Sequence, residues 1–310
     1  MTTRFDVLTR PKSGVDHSTP SKHRSIGFVL AFVGLMLAAV TLIASIVAAN
    51  SDTETGATAA WSFGLTVLGF GTIKLAIGLV LVGILIRLWI RVDAVKQAAA
   101  GLKPDTDATT PRGSIETEFG AATETADAPG TLPIHRMART MWFPMLAMGS
   151  MLVVAGFILS LVWAGKVDGG TQQAVQAWTQ GVQFLGEGLL LAGVSFLLGS
   201  ILAALREGGG DLQQSLGLAV RTLKMPKTAK LFVGFMALGL MVSMVQFVLY
   251  IVAAGVSSPQ SFAAWSAWLG PLREFGLGLL LTGIVLALVT IGNVLAFQFS
   301  RVREIVTTGK

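Results

Sequence analysis

The chain contains no cysteine and only three histidines, His17, His23 and His135. That removes disulfides, thiolate metal centres, iron–sulfur clusters and cysteine nucleophiles at once. Charge is scarce as well: 13% of the 310 residues are charged, against about 25% in ordinary globular domains. A soluble enzyme is excluded by that balance. What is abundant is apolar: 53% of residues are aliphatic, aromatic or small apolar, and mean hydropathy is +0.69.

Six segments nearly free of charge, at about 25–49, 61–88, 141–164, 174–204, 231–254 and 271–298, are each long enough to cross a bilayer core of about 30 Å as a helix. The expected architecture is an all-α integral membrane protein of six transmembrane helices arranged as three helical hairpins. The first apolar stretch is too long for the 7–15 residues of a signal peptide's core and reads as a signal anchor. Of the 23 basic residues, all but Lys74, Lys166 and Arg273 fall at the termini or in the loops after even-numbered spans. The positive-inside rule then places both termini in the cytoplasm. The net charge of +6 is thus a topology signal, and nucleic-acid binding is not needed to explain it. Trp61, Trp163, Trp178, Trp265 and Trp268 fall at the outer ends and Trp89 and Trp142 at the inner ends, as interfacial aromatic belts do. The expected setting is a multi-pass protein of a bacterial inner membrane, with the lipid bilayer as its first partner.

The expected organisation is a cytoplasmic tail at 1–24, hairpin 1 at 25–91, a largely disordered cytoplasmic linker at 92–138, and hairpin 2 at 139–206. A cytoplasmic amphipathic segment at 207–229, hairpin 3 at 230–300 and a cytoplasmic tail at 301–310 follow. The linker expectation rests on the Thr-, Ala-, Asp-, Glu-, Gly- and Pro-rich stretch from Pro104 to Pro133. Gly208-Gly209-Gly210 reads as a breaker after which Asp211 caps a short amphipathic helix carrying Leu212, Leu216, Ala219, Val220 and Leu223.

The hairpins repeat one pattern. Spans 1, 3 and 5 share G-x-M at Gly34, Gly149 and Gly239, with exits at Asn50, Gly165 and Gly255. Spans 2, 4 and 6 place G-x-G after Trp61, Trp178 and Trp268: Gly69 and Gly71, Gly186 and Gly188, Gly276 and Gly278. These six glycines are candidates for close helix packing, as are the small-residue ladders Ser195–Gly199–Ala203 and Gly283–Ala287. Offsets of 115 and 90 for the first helices, matched by 117 and 90 for the second, make this a parallel threefold repeat. Mitochondrial carriers share the plan of three two-helix repeats. Their P-x-[DE]-x-x-[KR] signature is missing, since Pro144 is followed by Met145-Leu146 and spans 1 and 5 lack proline. No family is assigned.

Ionisable groups at membrane depth are where function is sought first. Lys74 and Glu187 fall near the midplane on the second helices of their hairpins, where they read as a pair. In the sharper reading, joined by Gln183, Gln246 and Asn293, they bind or gate an ion, a proton or a polar solute. In the plainer reading they are a structural ion pair. Glu274 falls nearer the outer end; with Pro271 at the first helical position, it complements the helix dipole beside Arg273. Met137, Met141, Met145, Met148 and Met151 form one helical face, read as core packing rather than a copper path. No span carries a histidine, no serine has a visible base, and there is no P-loop, so no enzyme, cofactor or metal site is expected. Two function classes remain. One is an accessory or scaffold subunit of a membrane complex, with membrane-protein partners or further copies of itself; the other is a small transporter or channel.

Overall fold

The computed structural model describes residues 19–49, 55–99, 122–126, 132–166, 169–215 and 220–308. These residues are nearly all helical. Among the described residues there are six helices, α1 (Thr19–Ala49), α2 (Thr55–Ala99), α3 (Pro133–Ala164), α4 (Gly169–Ser215), α5 (Lys227–Ala254) and α6 (Pro259–Thr308). Two short strands, β1 (Thr123–Ala126) and β2 (Val220–Leu223), pair antiparallel.

Five of the helices are long and apolar enough to cross a membrane: Ala60–Ile86, Pro133–Ala164, Gly170–Gln214, Lys227–Ala254 and Pro259–Gln298. Helix is the outcome that lipid demands, because it satisfies every backbone N–H and C=O within the segment. In α1 the apolar run covers Ser25–Thr41. Gly165 and Gly255 close α3 and α5 as C-caps; Asn50 lies outside the described residues.

Consecutive helices pack as antiparallel pairs, α1 with α2, α3 with α4 and α5 with α6. The reason is visible at one backbone approach that recurs in each pair. A Cβ on Gly34 would come within 2.6 Å of the Gly69 carbonyl oxygen, one on Gly149 within 2.9 Å of that of Gly186, and one on Gly239 within 3.1 Å of that of Gly276. The residue four positions after each carbonyl, Ile73, Leu190 or Leu280, closes the same contact. Only glycine permits this approach, which brings the helices close enough for dispersion and weak Cα–H···O contacts to hold them where lipid supplies no hydrophobic driving force.

The pairs then join side by side. α4 packs on α2, α3, α5 and α6, whereas α1 packs appreciably on α2 alone. In its most apolar window α4 is 89% buried, against 22–33% in the other four candidate spans, so it is the axle of the bundle. The second glycine of the first two G-x-G motifs faces the next pair: Gly71 meets Val153 of α3, and Gly188 meets Ser243 of α5. Gly278 meets nothing within 4 Å among the described residues. The row of hairpins therefore ends at α6.

Several local expectations are corrected. α4 runs straight through Gly208-Gly209-Gly210 to Ser215, so neither the breaker nor the helix capped by Asp211 forms there. Glycine costs a helix about 1 kcal/mol per residue, but the gap beside Gly209 receives the Arg301 guanidinium and the Gln298 amide of α6. Tertiary packing outweighs propensity. Val220–Leu223, expected to be helical, is β2. Its partner β1 comes from the stretch read as disordered linker, in register Thr123↔Leu223 to Ala126↔Val220. A two-stranded sheet is marginal alone; this one rests on α4, with Val220 and Thr222 buried and the Arg221 N–H donating to Gln213 Oε1 at 3.0 Å. The rest of Pro104–Pro133, apart from 122–126 and 132–133, lies outside the described residues. α6 continues to Thr308, and Arg301, expected in a tail, is buried.

The methionine stripe also differs. Met137, Met141, Met148 and Met151 are exposed, because α3 turns Ala138, Trp142, Leu146, Gly149, Val153 and Gly156 inward instead. The stripe faces where lipid would lie.

Candidate functional site

The buried chemistry converges on one carboxylate. Glu187 is 1% exposed, halfway along α4. It is flanked by Gly186 and Gly188, whose missing side chains let α3 and α5 close over it: a Cβ on Gly186 would lie 2.9 Å from the Val153 backbone nitrogen, and one on Gly188 2.5 Å from Ser243 Oγ.

Two cations reach it from different helices. Lys74 Nζ of α2 lies 2.9 Å from Glu187 Oε1, and Arg273 Nη2 of α6 donates to Oε2 at 2.8 Å. Each carboxylate oxygen thus has its own charged donor, and the second helices of all three hairpins are tied at one level. Arg273 Nη1 also reaches Glu274 Oε1 at 3.2 Å, so the four charges sum to zero. The Arg273 guanidinium lies over the Phe184 ring at 4.0 Å, a cation–π contact within a layer of edge-to-face aromatics that includes Phe63 and Tyr250.

The charge cluster divides the interior. On one side Phe184, Tyr250, Ala253, Phe262 and Leu269 form an apolar cluster; on the other a larger one runs from Leu190 and Val194 to Ile201, with Leu146, Phe232 and Met236.

The paired Lys74 and Glu187 were legible in the sequence; Arg273 was not. Pro271 suggested a helix start, and so a first-turn role for Glu274. Instead Pro271 lies inside α6, twelve residues after Pro259, and Glu274 is 70% exposed. Proline's fixed φ suits a helix; its missing N–H leaves the Ala267 carbonyl without an in-helix donor. The repeat held the missing signal: the offset of 90 between spans 4 and 6 sets Arg273 level with Gln183, one turn from Glu187.

The other polar candidates separate. Gln246 is buried and donates to the Leu269 carbonyl at 3.2 Å, joining α5 to α6. Gln183 is fully buried one turn from Glu187, packed against Gly156, and neither its Oε1 nor its Nε2 has a partner among the described residues. Asn293 is exposed and takes no part in the cluster. Of the packing glycines, Gly69, Gly71, Gly186, Gly188 and Gly276 lie in helix interfaces, and Gly278 is open. Gly199 and Gly283 of the small-residue ladders pack within the chain, against Ala138 and α5 respectively. Among the described residues no group of three or more His, Asp or Glu side chains is placed to hold a metal ion.

A second polar cluster caps the end of the bundle where basic residues gather. Arg139 pairs with Glu207, Arg206 Nη2 lies 3.5 Å from Glu124 Oε1 of β1, and Arg301 donates to the Arg221 carbonyl. Two recesses of about 60 and 40 Å³ open beside it, and Glu187 lines neither.

Compared with protein-family models, curated proteins and solved structures, the chain matches none.

Proposed function

We propose that this protein is a non-catalytic accessory or scaffold subunit of a membrane complex: six spans as a threefold parallel repeat of hairpins, both termini cytoplasmic, in a bacterial inner membrane. The repeat is supported by the glycine approach shared by the three helix pairs, and the orientation by the basic loops. The observation that carries the scaffold reading is the open end of the row. Gly71 and Gly188 each receive the first helix of the next hairpin, at Val153 and Ser243, positions separated by the repeat offset of 90. Gly278, at the same register on α6, receives nothing.

The open face is largely apolar, with Phe275, Leu281, Val285, Leu288 and Leu295 exposed, but polar and small residues interrupt it. Glu274, Thr282 and Asn293 are exposed on α6, and Gly292, like Gly278, has open space beside it. Small residues that permit close approach, together with an asparagine able to hydrogen-bond across helices, suit a further membrane helix better than acyl chains. The occupant is a transmembrane helix of another subunit in the same complex. The charge layer supports a static role: Glu187 has both oxygens satisfied by cations and is sealed from solvent.

Mild-detergent purification with mass spectrometry of stoichiometric partners tests this, comparing wild type with Gly278→Leu and Asn293→Leu. A constant partner lost from both variants, with helicity retained, is expected. A solitary wild-type protein refutes the reading, and recovery of a second copy instead makes the occupant this chain's own α1.

One observation favours the transporter alternative. The unpartnered amide of Gln183, one turn from Glu187, is where a water or polar solute would sit in a conducting bundle. On that reading Glu187→Gln abolishes solute flux in vesicles without changing abundance.

A further inference from the structure

The groove between α3 and α5 has the layout of a phospholipid. Both helices lean on α4 without appreciable packing on each other, so a strip of α4 forms the floor of a gap. Of the two recesses at the basic end, the one reaching Ser195 lies in this gap and the other adjoins it, closed on its far side by Thr290, Val294 and Phe297 of α6; they share His135, Leu202, Met225 and Ala229 in their walls. One end is cationic through Arg206, whose Nη2 lies 3.5 Å from Glu124 Oε1, and Arg301, with the His135 imidazole beside them. Buried there without a hydrogen-bond partner among the described residues are Arg206 Nε and His135 Nδ1. The opposite end is apolar, walled by Phe232, Val233 and Met236 and reaching Ser195, whose hydroxyl is already spent on the Leu191 carbonyl.

Length agrees with chemistry. Arg206 and Ser195 are eleven positions apart on α4, which at 1.5 Å per residue is about 16 Å, close to half of the roughly 30 Å hydrocarbon core. A ligand that fills the groove therefore carries an anionic oxygen group at one end and a single-leaflet length of hydrocarbon at the other.

We propose that this groove binds an anionic phospholipid, with the phosphate at Arg206, Arg301 and His135 and an acyl chain along α4 between α3 and α5. Basic pockets between transmembrane helices hold anionic headgroups in this manner. The bound lipid fills the gap that α3 and α5 leave, and so joins hairpins 2 and 3 at the end where β1 and β2 also meet.

Native mass spectrometry of the full chain in mild detergent, titrated separately with dioleoyl phosphatidylglycerol, dioleoyl phosphatidylcholine and inorganic phosphate, is the test. Phosphatidylglycerol is expected to bind about tenfold more tightly than phosphatidylcholine, and Arg206→Gln to reduce that preference about fivefold, the effect of one basic residue near a charged headgroup. Ala229→Trp, which fills both recesses and leaves every charge in place, should lower retention of both lipids at least tenfold. Equal affinity for the two lipids, or a preference untouched by Arg206→Gln, overturns the proposal. Phosphate binding as tight as phosphatidylglycerol also overturns it, since the site then reads a free anion. Should Arg206→Gln fail to fold, Ala229→Trp decides alone: unchanged lipid retention ends the idea.

Discussion

Replacing Glu187 with glutamine removes one charge and almost no volume, so any effect is electrostatic. In the wild type Lys74 and Arg273 lie 2.9 and 2.8 Å from its two oxygens, and their side chains are only 16% and 21% exposed. The variant leaves two half-buried cations facing a neutral amide, with Glu274, itself 70% exposed, as the nearest remaining counter-charge to Arg273. Removing one partner from a buried ionic cluster costs about 3–5 kcal/mol, because the surviving charges are left desolvated and unopposed. With about 2–4 °C per kcal/mol for a chain of 150–250 residues, the expected loss in melting temperature is on the order of 10 °C. Lys74→Met should cost less, since Glu187 keeps Arg273. Arg273→Met should fall between, losing the Phe184 contact as well. Circular dichroism melts in one detergent at fixed lipid content rank the three. The decisive comparison is the triple variant Lys74→Met, Glu187→Leu, Arg273→Met. An all-apolar layer of similar volume should recover most of the stability lost in Glu187→Gln, because no buried charge is then stranded and Glu274, which loses Arg273, is 70% exposed. If Glu187→Gln melts within 1–2 °C of wild type, the layer is solvated and the account of it as a sealed staple is wrong.

Four further outcomes are expected. Gly149→Ala should destabilise by about 1–3 kcal/mol, since its Cβ would meet backbone atoms of α4 at 2.7–2.9 Å that cannot move aside. Gly278→Ala, with open space beside it, should leave the melting temperature of the isolated chain unchanged or slightly raised by helix propensity. Gly209→Ala gains about 1 kcal/mol of propensity on an isolated helix, yet it displaces Arg301 and Gln298 from their seat on α4. A net fall in melting temperature is expected, because the seat outweighs propensity; a rise refutes that. Thr222→Pro should break the β1–β2 ladder opposite Glu124 and speed proteolysis at Thr123–Ala126 while the helices stay protected.

The helices and their pairing were legible because lipid allows few solutions: apolar runs must be helical, and short connections make neighbours antiparallel. Lys74 and Glu187 were legible for a related reason, since each is costly enough at membrane depth to require a partner. What escaped was set by contacts distant in sequence. Pro271 and Gly208-Gly209-Gly210 look like boundaries when only local propensity is weighed. In the folded chain α6 packs past both, placing Arg273 on Glu187 and Arg301 on Gly209. The strand at Val220–Leu223 carries apolar spacing that a helix would also satisfy, and only the arrival of Thr123–Ala126 decides between them. The methionine face was misjudged because a stripe on a helix says that one face differs, not which face turns inward.

The charge layer has a consequence for specificity that apolar packing lacks. Between helices in lipid, apolar contacts discriminate weakly, because a leucine facing a neighbour and a leucine facing an acyl chain are nearly equivalent. The glycine approaches fix distance and depth within each hairpin, but a hairpin could still rotate about its axis at modest cost. Glu187 removes that freedom: its two oxygens point to two different helices, so α2, α4 and α6 satisfy it together at one depth and one rotation. On this argument the triple apolar variant keeps stability and loses uniqueness, and should unfold in a broader, less cooperative transition than the wild type. A transition as sharp as the wild type's would assign register to the glycines alone and leave the ionic layer without a structural role.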